Sequence, residues 1–224
     1  MTKPTALVTG ANRGLGTAIV AGLAARGYRV FLGTRNLDAA PTIDGDVHPV
    51  ELDVDDPGSI DRALAPIDRL DALVNNAAIN LDLSPDGPLP ATAVTTDAFT
   101  RTLRTNVTGL YATTIAALPA LRRASTARVV NLTTGLASLD ALRDPGSRAA
   151  TRRLFAYTTS KAAVNALTLL LAHELRPDGI LVNAADPGLV ATAMNGFTGP
   201  QTVEEGARPV LALATETTST GTLP

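Results

Sequence analysis

Short apolar runs alternate along the chain with longer stretches of helical periodicity. The runs Ala6–Thr9, Arg29–Gly33, Pro49–Val54, Ala72–Asn75, Arg128–Leu132 and Ile180–Ala184 are rich in Val, Leu and Ile. They are apolar at consecutive positions, as strands covered on both faces of a parallel sheet must be. The intervening patterns predict helices over Gly14–Arg26, Ser59–Ala65, Thr96–Arg123, Tyr157–Leu175 and Thr202–Ala214. Strand–helix alternation of this kind predicts an α/β fold, a doubly wound parallel sheet flanked by helices. Two segments break the pattern. Asn80–Ala91 is rich in Pro and Gly and reads as a loop. Leu139–Leu154 carries Pro145, Gly146 and the arginines Arg143, Arg148, Arg152 and Arg153. They read as a solvated surface loop or, for one of them, as a contact with an anionic group on a substrate.

Composition narrows the chemistry. The chain has 224 residues, 45% apolar and 18% charged, which fits a single globular domain over residues 1–224. It contains no Cys, so disulfides, thiolate nucleophiles and Cys-type metal sites are excluded. His48 and His173 are its only imidazoles, too few for a His-rich metal site. A net charge of −2 lacks the basic footprint of a nucleic-acid binder. No apolar stretch reaches the ~18 residues of a membrane span. Lys3 and Pro4 lead directly into the first apolar run without a leader pattern, so the expected location is the cytoplasm.

Between the first predicted strand and helix lie Thr9, Gly10, Ala11, Asn12, Arg13, Gly14, Leu15 and Gly16. A pyrophosphate sits well at a helix N-terminus, where free N–H groups and the helix dipole favour negative charge. Glycines there let the backbone approach it closely. The spacing is neither G-x-G-x-x-G nor a P-loop.

The pattern T-G-x-x-x-G-x-G resembles that of the short-chain dehydrogenase/reductase family. Further stretches follow in the family's order. Asn75-Asn76-Ala77-Ala78 resembles its N-N-A-G motif, and Asn106 lies in the long helix that carries its active-site Asn. Tyr157-Thr158-Thr159-Ser160-Lys161 matches Y-x-x-x-K, and Pro187-Gly188 with Thr192 resembles P-G-x-x-x-T. The resemblance spans residues 5 to about 215. It implies a Rossmann-type fold, a nicotinamide cofactor and a small-molecule carbonyl or alcohol substrate.

Residue roles follow from that resemblance. Tyr157 is implied as general acid/base, with Lys161 lowering its pKa and gripping the nicotinamide ribose; the two lie one helical turn apart on a shared face. Thr134 stands where the family commonly has the active-site Ser, and Ser138 is the alternative source of that hydroxyl. Asn106 is implied to break its helix and hold a water in a proton relay. The implied cofactor contacts are Gly10, Asn12, Arg13, Gly14, Leu15, Gly16, Asn76, Ala77, Tyr157, Lys161, Pro187, Gly188, Val190 and Thr192. Asp53-Val54 resembles the family's adenine-contacting pair, although an Asp ending a strand also serves as a turn cap. After the second strand come Thr34 and Arg35, with no carboxylate before Asp38. An acid there would grip a ribose 2′-hydroxyl and repel a 2′-phosphate. Arg35, joined by Arg13, favours NADP(H) over NAD(H).

The gap from Thr134 to Tyr157 is long for the family and resembles the insertion of monomeric carbonyl-reductase-like members; monomer and homo-oligomer both remain open. The short stretch Ala193–Gln201 predicts an open cleft without a helical lid. The Thr-rich residues 215–224 predict an incomplete last strand. The leading expectation is therefore an NADPH-dependent reductase of ketones, aldehydes or quinones, transferring the pro-S hydride that the resemblance implies. A dinucleotide-binding regulator or scaffold with little turnover is the alternative. An extended sugar-nucleotide epimerase needs a second domain for which 224 residues leave no room.

Overall fold

The computed structural model describes residues 3–84 and 86–224. A parallel sheet forms its centre, from β1 (Thr5–Val8), β2 (Arg29–Thr34), β3 (Val47–Glu51), β4 (Ala72–Asn75), β5 (Ala127–Leu132) and β6 (Ile180–Ala185). The strand order is β3-β2-β1-β4-β5-β6. It reverses between β1 and β4, and the crevice at such a reversal, beyond the strands' carboxyl ends, is where doubly wound sheets bind ligands.

The helices are α1 (Gly14–Ala25), α2 (Pro57–Leu64), α3 (Thr96–Leu103), α4 (Leu110–Leu121), α5 (Leu139–Arg143), α6 (Arg148–Arg152), α7 (Phe155–Glu174) and α8 (Val203–Thr215). Strand alternation sorts the core into two layers. Leu7, Leu73 and Val129 face α2, α4 and α7, where Ile60, Leu121 and Leu171 meet them. Ala6, Val8, Val74 and Val130 face the other way, toward Ile19 and Leu23 of α1 and Val210 and Leu211 of α8. Buried apolar surface of this extent is the main stabilising term of such a fold.

Several sequence expectations need correction. The third strand runs over Val47–Glu51 rather than Pro49–Val54. It is the sheet's edge, where Pro49 leaves no central ladder bond unmade. The expected helix Thr96–Arg123 is interrupted: Arg104–Gly109 form a π turn between α3 and α4. The expected loop Leu139–Leu154 contains α5 and α6, capped by the Ser138 and Ser147 hydroxyls. Within Asn80–Ala91, Leu83–Ser84 pairs antiparallel with Gly87–Pro88. The expected incomplete last strand is seen as a tail beside β6. Gly221 donates its N–H to the Val182 carbonyl and the Thr222 carbonyl accepts from Ala184, without a regular strand forming.

A polar chain crosses the core below the crevice. Asn75 Nδ2 donates to Thr114 Oγ1 and to Asn131 Oδ1, both at 2.9 Å. Asn131 Nδ2 donates to Thr168 Oγ1 at 2.9 Å. All four residues are at most 3% exposed, so this chain joins α4, β4, β5 and α7 through bonds that water cannot replace. Asn131→Ala should therefore cost about 2–4 kcal/mol, from an orphaned buried donor plus the void left behind. Equilibrium urea denaturation measures it; a loss below about 0.5 kcal/mol, the range of an ordinary surface change, would contradict the network's role.

Candidate active site

The glycine loop after β1 is shaped by backbone contacts that leave no room for side chains. Gly10 has φ +62°, and a Cβ there would lie 2.8 Å from Ala77 Cα. A Cβ on Gly16 would lie 2.7 Å from both Ala11 Cα and Asn76 Nδ2. Any larger residue would push the loop away from Asn76 and Ala77 after β4. Thr9 and Asn76 lock the two loops together. Thr9 Oγ1 accepts from the N–H groups of Asn76 and Ala77 at 3.1 and 3.0 Å. Asn76 Nδ2 donates to the Thr9 and Gly10 carbonyls, both at 2.9 Å. Asn76 thus spends its amide protons on shaping the cradle, and Thr9, the motif's first residue, locks it through its hydroxyl.

The cradle opens onto α1. Its N-cap, Arg13, makes no side-chain cap bond, and no acid sits in the first turn. The first-turn N–H groups and the helix dipole are thereby left to an external anion. Gly14, at φ +57°, faces the Thr192 methyl, where a Cβ would lie 3.5 Å away. Asn12 and Leu15 flank this opening, half-buried. Residues 187–201 close over the same end. Gly188, at φ +77°, lies beneath Gln201, and Val190, 5% exposed, bridges to Gln201. Between them the chain makes only the short turn Ala193–Asn195, capped reciprocally by Thr192 and Asn195. No helical lid forms there.

At the adenine end the outcome is mixed. Arg13 and Arg35 are exposed, and neither pairs with an acid among the described residues. Thr34 is a correction. It is 1% exposed, and its hydroxyl donates to the Asn36 carbonyl at 3.1 Å and accepts from Asn36 N at 3.2 Å. Turned inward, it is not presented to a ligand. Asp53 Oδ1 accepts from Asp55 N at 3.0 Å, the turn-capping alternative. Val54 is nearly buried, and its carbonyl lies 2.8 Å from where a Gly109 Cβ would be.

Tyr157 and Lys161 sit on one face of α7. Lys161 Nζ lies 5.7 Å from the Tyr157 ring centroid. The same Nζ donates to the Leu132 carbonyl at the end of β5, at 2.7 Å. Lys161 is 2% exposed, and burial pulls its ammonium down from 10.5 to about 8. The expected lowering of the phenol is not found. Burial first, and the Asp186 charge second, push Tyr157 up to about 12. The ammonium is aimed at a carbonyl, so desolvation outweighs it and the phenol stays protonated.

The neighbouring hydroxyls divide their work. Thr133 is buried and donates to Asn165 Oδ1 at 2.7 Å, on α7. Thr134 is only partly buried; its Oγ1 accepts from Leu136 N at 3.3 Å and donates to no protein atom among the described residues. Ser138 Oγ is engaged as the N-cap of α5, accepting from Ala141 N at 3.2 Å. Asn106 explains the π turn. Fully buried, it accepts from Ile79 N at 2.8 Å and donates to Ile79 O at 2.9 Å and Ser160 Oγ at 3.0 Å. The widened turn brings its amide to the Ile79 backbone. Ser160 in turn donates to the Tyr157 carbonyl at 2.7 Å. The helix break was expected; a side chain free to hold a relay water is not found.

Asp82 was missed. It is 0% exposed, and its carboxylate accepts from Ala156 N at 3.2 Å and Tyr157 N at 2.7 Å. It caps α7 from a distant loop, where the adjacent Leu154 offers no cap. Nothing local marks such a cap in the sequence. Among the described residues no group of acids or histidines could hold a metal, and no helix is long and apolar enough to cross a membrane.

The chain is similar to several known proteins. The short chain dehydrogenase family model matches residues 4–202. The short-chain dehydrogenase anuI of Penicillium roqueforti is 33% identical, with 96% of this chain and 90% of that one covered. An NADPH carbonyl reductase 2 of Sus scrofa is 32% identical, covering 84% of this chain and 72% of that one. Among solved structures, a short-chain dehydrogenase from Burkholderia cenocepacia in complex with NADP superposes with TM-score 0.82 at 27% identity, over 99% of this chain and 88% of that one.

The lowered Lys161 makes stability depend on pH. Between about 8 and 10.5 the native state binds fewer protons at this site than the unfolded chain, so stability rises with pH across that window. Tyr157 acts oppositely between 10.0 and about 12, where the unfolded chain loses its proton first. Lys161→Met should abolish the first rise. Melting temperatures of both proteins from pH 7 to about 10 measure it; parallel profiles would contradict the buried ammonium.

Proposed function

The chain belongs to the short-chain dehydrogenase family, and from that premise we propose that it is an NADP(H)-dependent oxidoreductase that reduces a ketone, aldehyde or quinone to an alcohol. The observation that carries this reading is the Tyr157–Lys161 pair, held on one face of α7 with Lys161 anchored to the end of β5. The dinucleotide fits what surrounds it. Gly10 and Gly16 shape a cradle that a Cβ would fill, Gly14 lines it at φ +57°, and α1 begins without a side-chain cap or an acid in its first turn. Asn12, Arg13 and Leu15 border the pyrophosphate position, shaped from below by Asn76 and Ala77. Arg13 and Arg35 recognise the 2′-phosphate, Asp53 and Val54 border the adenine, and Pro187, Gly188, Val190 and Thr192 border the nicotinamide. The Burkholderia neighbour's bound NADP and the Sus scrofa relative's name support the choice of NADP(H).

When bound, the reduced nicotinamide supplies the hydride. The protein's part is the proton and the positioning. Tyr157, kept protonated up to about 12, donates its phenolic proton to the carbonyl oxygen as negative charge develops there. Thr134, with its hydroxyl proton uncommitted, donates a second hydrogen bond to that oxygen. Lys161 holds the cofactor's ribose and, with its lowered pKa, can pass a proton toward the phenolate after transfer. The whole chain is then one dinucleotide-binding domain.

Fluorescence titration should show NADPH bound more tightly than NADH. Arg13→Ala with Arg35→Ala should remove most of that preference, about 10- to 100-fold for charge-assisted contacts of ~1.5–3 kcal/mol. Equal affinities in the wild type would remove both arginines from their role. On a panel of quinones, ketones and aldehydes the wild type should consume NADPH, and Tyr157→Phe should lower kcat about a hundredfold or more. Thr134→Ser should retain activity and Thr134→Ala lose it; survival of the Ala variant would move the role to Ser138. Binding without turnover on the whole panel would favour the regulatory alternative.

A further inference from the structure

The four arginines between β5 and α7 have different surroundings. Arg143 pairs with Asp140 on α5, at 3.8 Å. Arg148 is exposed. Arg152 and Arg153 instead line a cavity of about 300 Å³, together with Thr151, Pro88, Leu89 and Pro90. Neither forms an ion pair with an acid among the described residues. Two guanidinium charges thus line one small cavity with no protein carboxylate to balance them, an arrangement that a bound oxyanion relieves.

The backbone gives an independent sign. Arg153 ends α6 at φ 54° and ψ 41°, in the left-handed region. Gly or Asn usually takes such a helix end, because other side chains crowd the following carbonyl there. The turn alone would favour Gly; Arg153 brings a guanidinium to the cavity instead.

The cavity adjoins the chemistry. Leu89 donates its N–H to the Asp82 carbonyl at 2.8 Å, and the Asp82 carboxylate holds the Ala156 and Tyr157 N–H groups. On the other wall, Arg153 precedes Tyr157 by four residues. Their Cα atoms therefore lie within about 14 Å, the full extension of that span. Both walls are anchored to the first turn of α7. The two prolines stiffen one wall, and Leu89 offers apolar surface to a carbon chain. The volume suits a terminal group and a few carbons rather than a whole cofactor.

We propose that Arg152 and Arg153 form an anion subsite, which receives a carboxylate or phosphate borne by the carbonyl substrate at the end remote from Tyr157. This rests on the reductase reading above and narrows its substrate class to anionic ketones and aldehydes. Both oxyanions suit the planar guanidinium, which donates paired N–H bonds. With the far end tethered, the carbonyl samples fewer orientations beside Tyr157 and Thr134.

The probes are linear keto acids and keto phosphates of increasing length, each beside its neutral ester or alcohol counterpart. The wild type should reduce the anionic member with the higher kcat/KM. Arg152→Ala with Arg153→Gly should lower that ratio by about tenfold, chiefly through KM. Gly is chosen at 153 because it accepts the left-handed backbone, so the loss reads the guanidinium and not the turn. Arg143→Ala, on the same segment but outside the cavity, should leave the ratio near its wild-type value. The carboxylate and phosphate arms tell which oxyanion the site takes. Calorimetric titration of the same probes with NADP+ present makes the comparison without turnover. A wild-type ratio near one overturns the proposal, as does a ratio that the double variant leaves unmoved or that Arg143→Ala lowers equally; turnover in those cases still upholds the reductase reading. Binding that needs both arginines, with no probe reduced, removes the reductase reading and leaves the subsite.

Discussion

The site depends on one costly burial. Lys161 carries an ammonium into a nearly water-free position, with the Leu132 carbonyl as its acceptor from the protein. Removing a charge from water is expensive, and the group responds by holding its proton less tightly. That is why its pKa sits near 8. The same dry environment acts on Tyr157 in the opposite sense, because there the charged form is the deprotonated one. A lysine ready to release a proton thus lies beside a phenol reluctant to lose one. This ordering suits delivery of a proton to a substrate oxygen followed by reprotonation from behind.

The fold holds this pair in place through polar contacts that cross between elements. Asp82 caps the helix on which the pair sits, Asn106 and Ser160 tie that helix to the chain after β4, and Thr133 meets Asn165 one turn beyond Lys161. The cradle is fixed by a comparable exchange, in which Thr9 and Asn76 trade hydrogen bonds between the loops after β1 and β4. Those loops are neighbours only because the strand order reverses there. Topology brings the phosphate end and the chemical end to one crevice, and buried side chains hold them at a fixed distance.

Features encoded by neighbours in the chain were legible in the sequence. The Val- and Leu-rich runs, the glycine loop and the one-turn spacing of Tyr157 and Lys161 each carry their signal locally. Features set by distant partners were not. The helix break at Asn106 was implied by the resemblance, but the partner that shapes it, Ile79, 27 residues away, was not, and Asp82 caps a helix 75 residues on. Thr34 lies at the expected strand end, yet its hydroxyl turns inward to Asn36 rather than toward a ligand. The helices α5 and α6 are five residues each, too short for periodicity to reveal. The direction of the Tyr157 shift was misjudged because spacing reports the presence of an ammonium but not the depth of burial or where the ammonium points.

The most direct test of this account is an NMR titration of the Lys161 side chain, assigned by comparison with Lys161→Met. A midpoint near 8 is the expected result for an ammonium desolvated in the crevice. A midpoint at or above 10.5, the ordinary lysine value, would show a solvated or anion-paired ammonium and contradict the proton-delivery scheme built on it.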